Sequence, residues 1–179
     1  MLLIGSLRFL CWRALNKIYK ESAMHDQVLL KFLQGIESDS YGRYHKDILN
    51  FSDEELENAH NYIQWLFPLQ EKSSAVPGSP FLEDEKIIRI LQNDTNVQER
   101  MAGAINRMER FYLENDFWLK RNNHNHLRIT RILKSISLLS SKENAQEFYD
   151  FILRRVECAQ PVTEESLGFW QESIKGIKS

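Results

Sequence analysis

Only two cysteines, Cys11 and Cys158, occur in 179 residues, which excludes a disulfide framework and a four-cysteine zinc site. Glycine, at 7, and proline, at 4, are too sparse for the many turns of a sheet-rich fold. No run of about 18 uncharged apolar residues is present, so no segment reads as a membrane-spanning helix. A dominant charge is also missing. Lys plus Arg number 23 against 25 Asp plus Glu, for a formal charge of −2, which excludes a chain that is basic throughout for nucleic acid. The patterns GxSxG, GxGxxG, HExxH and the P-loop do not occur, and neither cysteine has the setting of a nucleophile. Catalysis is therefore not expected, and no cofactor or metal is assigned.

What is present is a globular balance, with 42% hydrophobic and 27% charged residues. Period-3.6 spacing recurs where period-2 alternation is hard to find. The expected fold is all-α: a single compact domain of about six to eight helices without a significant sheet. Val28, Leu29, Phe32 and Leu33 mark a first helix ended by Gly35, and residues 37–47 read as a loop around Gly42. Ser52 with Glu55 forms a capping box. The stripe Leu56, Ala59, Ile63 and Phe67 then predicts one helix up to Pro68.

Residues 70–80 read as a connector or exposed loop, followed by a helix near 83–92. Thr95 with Gln98 suggests another capping box, opening a helix that turns Val97, Met101, Ala104, Ile105, Met108, Phe111 and Tyr112 inward. Later helices present Ile129, Ile132, Leu133, Ile136 and Leu139; then, after a Ser141 cap, Ala145, Phe148, Ile152 and Val156; and finally Leu167, Trp170 and Ile174. The domain is drawn over 26–179. Residues 1–25 read as a basic amphipathic helix or appendage, whose first twenty residues carry Arg8, Arg13, Lys17 and Lys20 and no acid. Such a stretch can touch an anionic membrane surface, so the expected location is cytoplasmic, peripheral to a membrane. Met24 is an alternative start.

Two segments are more specific than composition explains. One is His60-Asn61-Tyr62-Ile63-Gln64-Trp65-Leu66-Phe67-Pro68-Leu69, the other Asn123-His124-Asn125-His126-Leu127-Arg128-Ile129-Thr130-Arg131-Ile132-Leu133. With Gly42-Arg43, Asp47-Ile48-Leu49, Pro80 with Leu82, and Phe111-Tyr112, they resemble the conserved domain of the opioid growth factor receptor family over about residues 27 to 153. Leu113 and Ser140 stand where that family usually has glycine at helix ends. The resemblance implies a receptor-type binding module. Vertebrate members are named for binding an opioid pentapeptide and are linked to growth control and to nuclear or perinuclear membranes. No residues for that binding transfer one by one.

The candidate ligand-binding residues are His60, Gln64, Trp65, Trp118, Asn123, His124, Asn125, His126, Arg128 and Arg131. Gln64 among aromatic residues suits a peptide backbone, while the bland alternative makes Trp65 and its neighbours core. Residues 117–142 hold Lys120, Arg121, Arg128, Arg131, Lys134 and Lys142 and no acid. Arg128 and Arg131 share a helix face. They suit an anion, or else they pair with Asp47 or the acidic stretch 53–57 as structural fasteners. His124-x-His126 lacks the spacing of a helical zinc pair, and His60 can meet His124 only through the fold. The leading function is recognition of a peptide or protein, or of an anionic ligand, without catalysis. The alternative is an anion- or phosphate-dependent enzyme, or a nucleic-acid binder, using residues 120–134. Nucleic acid is the weaker choice on overall charge.

Overall fold

The computed structural model describes residues 26–157 and 162–175. The basic appendage, Met24, both cysteines and His25 lie outside them. Among the described residues the architecture is all-helical: α1 (26–33), α2 (His45–Leu49), α3 (Asp53–Asn58), α4 (Ile63–Leu66), α5 (Glu85–Asn93), α6 (Thr95–Glu114), a short 3-10 turn (Phe117–Leu119), α7 (Asn125–Leu139), α8 (Lys142–Glu157) and α9 (Glu164–Lys175). No strand occurs among them. The all-α expectation is met, although the helices outnumber it because several are short.

The long apolar stripes pack as their spacing requires. Val97, Met101, Ala104, Met108, Phe111 and Tyr112 of α6 join Ile129, Ile132, Leu133, Ile136 and Leu139 of α7 and Phe148 and Ile152 of α8 in one core. The last helix, α9, inserts Trp170, whose indole N–H donates to the His126 carbonyl at 3.0 Å. α1 is pinned by Asp26, which accepts from the backbone N–H groups of Glu83 (3.1 Å) and Asp84 (2.7 Å) just ahead of α5. Gly35 ends α1 with φ +74°, a backbone conformation that favours glycine.

Ser52 and Glu55 bond reciprocally as a capping box at α3, at 2.7 and 3.2 Å. Elsewhere local reading gives way to partners from afar. α2 occupies the end of the stretch read as loop. The helix expected to run from Ser52 to Pro68 is divided at Ala59, whose ψ of 120° is extended. Thr95 is no cap: Asp94 accepts from Asn96 and Val97, and the Gln98 amide instead bonds the carbonyls of Leu91 and Leu139. α6 continues through Leu113, which is solvent-facing, and Ser140 ends α7 at negative φ. Neither position needs the glycine usual in the family.

Candidate functional site

α7 presents two neighbouring surfaces to the first motif segment, and they are built differently. The first is a closed hub around Arg128, which is 5% exposed. One guanidinium nitrogen donates to Asn125 Oδ1 at 3.1 Å and to Glu57 Oε2 at 3.4 Å. The other donates to the carbonyls of Glu57 (3.1 Å) and Ala59 (3.0 Å), and to His60 Nδ1 (3.2 Å). A helix end leaves carbonyls without partners. Arg128 gathers those at the end of α3, which explains how the chain breaks there without glycine or proline. Arg128 cannot accept, so its approach to His60 Nδ1 suits the imidazole tautomer that carries its proton on Nε2. The Asn125 amide adds a bond to Glu57 Oε2 at 3.0 Å, and the His124 ring approaches Glu57 Oε1 at 3.3 Å. His60 and His124 meet edge to face, their ring centroids 5.4 Å apart.

Burial, with the Arg128 charge beside it, pulls the His124 pKa below its usual value, and the Glu57 carboxylate works against that pull. No cluster of three His, Cys, Asp or Glu suited to a metal occurs among the described residues.

The second surface is open. A groove of about 450 Å³ runs between α4, α7 and the loop after Leu69, within the range of ligand pockets of roughly 300–1,000 Å³. Ile63, Leu69, Val76 and Leu127 give it apolar walls, while Lys72, Arg131 and Lys134 put three cations on it against Glu71. Its floor carries Gln64, 3% exposed, whose Nε2 reaches Ser73 Oγ at 3.4 Å while Oε1 has no partner. A buried amide oxygen left without a donor costs about 1–3 kcal/mol. Arg131 donates to the Phe67 carbonyl at 3.2 Å. Burial lowers its pKa, with Glu71 opposing. At the rim Leu127 is 69% exposed, a large apolar side chain standing in solvent.

Of the ten candidates, His60, Gln64, His124, Arg128 and Arg131 line the groove. The other five lie elsewhere. Trp65 is buried against Phe32, with ring centroids at 5.1 Å. Trp118 donates to the Tyr112 carbonyl at 3.1 Å. His126 bridges the Trp118 carbonyl (2.9 Å) and Ser166 Oγ (3.0 Å) beneath Trp170, and burial lowers its pKa. Asn123 Oδ1 accepts from the Asn125 backbone N–H at 2.9 Å, holding the start of α7. Asn125 is fully buried in the hub. Sequence reasoning did not reach Ser73, Val76 and Lys72. They lie in a loop whose only local signal is polarity, and the bond from Leu82 N–H to the Leu69 carbonyl (2.8 Å) closes its base.

Comparison with known proteins gives this all-helical domain a lineage. The opioid growth factor receptor (OGFr) conserved region matches residues 23–178, so the chain belongs to that family. The match extends beyond residues 27–153 at both ends. A Homo sapiens protein named opioid growth factor receptor is 34% identical over 122 residues, covering 55% of this chain and 17% of that protein. A Rattus norvegicus protein named opioid growth factor receptor-like protein 1 is 33% identical over 139 residues, covering 63% of this chain and 28% of the relative. The chain thus spans less than a third of the length of either relative. No solved structure matches. No described helix is long and apolar enough to cross a membrane.

Proposed function

We propose that the groove between α4, α7 and the 69–76 loop recognises a short extended peptide segment, free or within a partner protein, without catalysis. The observation that carries this reading is Gln64: a buried amide on the groove floor with one hydrogen-bonding group unmet, inside apolar walls. A peptide backbone N–H supplies the missing donor, and an adjacent apolar side chain fits beside Ile63, Val76 and Leu127. The surplus of cations at Lys72, Arg131 and Lys134 favours a peptide bearing a carboxylate. His60 and His124 form one end of the groove, with their orientation fixed by the hub. Arg128 positions these rings; its own donors are occupied by protein acceptors. The printed name of one relative, opioid growth factor receptor, agrees with a peptide or protein ligand as a class.

Panning a random displayed-peptide library against the chain tests the proposal. Enriched peptides should carry an apolar residue next to an acid, and should lose binding to Leu127→Asp while the variant keeps the wild-type melting temperature. Failure to enrich any peptide, or enrichment indifferent to Leu127→Asp, rejects this function for the groove.

A further inference from the structure

A second cavity lies away from the groove, between the turn after α1, the start of α2, and α6. It measures about 240 Å³ and is lined by Gly35, Tyr44, His45, Lys46 and Arg100, far more than the ~10–15 Å³ that one water needs. Two of its side-chain nitrogens lack hydrogen-bond partners. His45 is 1% exposed and its Nδ1 makes no hydrogen bond. Arg100 has a buried Nε without an acceptor, and no carboxylate pairs with it among the described residues. An arginine with no partner is the opposite of the Arg128 arrangement. The guanidinium lies across Gly35, in space that a β-carbon there would occupy. Nearby carboxylates are engaged elsewhere: Asp47 with the Tyr44 N–H (2.8 Å), Glu37 with Lys31 (2.6 Å), and Asp94 with Gln34 (2.7 Å).

We propose that this cavity binds a phosphate-type dianion, held by the Arg100 guanidinium and Lys46, with His45 donating a ring N–H. The charges match. A phosphate group carries about −1.5 to −2 near neutral pH, and the lining offers two permanent cations and no acid. The guanidinium presents its N–H groups in a fork suited to phosphate oxygens. Burial, reinforced by the Arg100 charge, lowers the His45 pKa to about 4, so the imidazole is neutral at pH 7 and can hold its proton on Nδ1. Bound phosphate then satisfies both unpartnered nitrogens at once. Inorganic phosphate and a small phosphate monoester share this chemistry.

The test is thermal melting of the full chain with inorganic phosphate or glycerol phosphate, against sodium chloride at matched ionic strength. A saturable rise of about 5–10 °C is expected at a hundredfold excess over the dissociation constant. Arg100→Met should abolish it, Lys46→Met should weaken it about tenfold, and the groove variant Lys134→Met should leave it intact. A larger response to glycerol phosphate identifies an ester as the occupant, and a larger response to the inorganic ion identifies free phosphate. Equal shifts in wild type and Arg100→Met, or no shift beyond the chloride control, overturn the proposal. If Arg100→Met does not fold, phosphorus NMR titration of Lys46→Met decides, since unchanged affinity there also overturns it. The groove proposal stands or falls separately.

Discussion

The Arg128 hub and the Gln64 floor are built from the same two motif segments and lie side by side, yet their polar groups are treated in opposite ways. In the hub, one guanidinium meets a carboxylate, an amide, two backbone carbonyls and an imidazole. On the floor, an amide as deeply buried has a single 3.4 Å contact and one unmet atom. A satisfied buried network fastens the fold, whereas an unsatisfied one is where an added group gains most. Proximity to the motif therefore does not make a residue a ligand contact. Satisfaction of its hydrogen bonds discriminates better, and it divides Arg128 from Gln64.

Breaking the hub should give the largest effect. Arg128→Ala takes the donor from the carbonyls ending α3 and leaves Glu57 with only Asn125 and His124, and should destabilise by about 3–5 kcal/mol in urea titrations. Arg128→Lys should rescue little, because one ammonium cannot serve acceptors spread across a planar fork. Trp65→Ala, which opens a hole beside Phe32, should cost a similar 3–5 kcal/mol. A loss below about 1 kcal/mol with weakened peptide binding would instead move Trp65 into the site.

Acid should act next. The folded pKa of His45, about 4, lies below its ordinary 6.5, so the unfolded chain takes up the proton first. Its stabilising contribution is complete above about pH 6.5 and is lost as pH falls through about 4, a change of about 3 kcal/mol. The lowered pKa values of His124 and His126 act with the same sign. Urea midpoints followed from pH 7.5 to 4 should fall for wild type and fall less for His45→Gln. Glu55, Asp94 and Glu143, also lowered, lose their contributions only below the ordinary carboxylate range.

The smallest effect on stability belongs to the groove. Lys134→Met breaks an exposed 3.4 Å pair with Glu71 and should change stability by no more than about 0.5 kcal/mol. A larger change would place the groove wall among the elements that hold the fold.

Much of this was legible in the sequence because it is local. The stripes of α6, α7 and α8 fix helices and buried faces through spacing alone, and the Ser52–Glu55 box fixes the start of α3. The break at Ala59 was not legible, since the group that satisfies it is Arg128, 69 residues further along the chain. The same holds for Gln98, whose amide bonds the Leu139 carbonyl rather than closing a box with Thr95. At the site, the pairing of Arg128 with Glu57 was among the alternatives read from charge. The meeting of His60 with His124 depends on the fold alone. Ser73 and Val76 carry no pattern that distinguishes a groove wall from an ordinary polar loop.

Gln64 Oε1 is the unmet buried atom that the proposed peptide completes. Calorimetric titration of one library-selected peptide into wild type and Gln64→Leu tests it most directly. The account predicts at least a tenfold loss of affinity, about 1.4 kcal/mol, in a variant as stable as wild type or more so, because the leucine removes an unsatisfied polar atom. Equal affinity for both proteins, or a variant that loses several kcal/mol of stability in the absence of peptide, would contradict it.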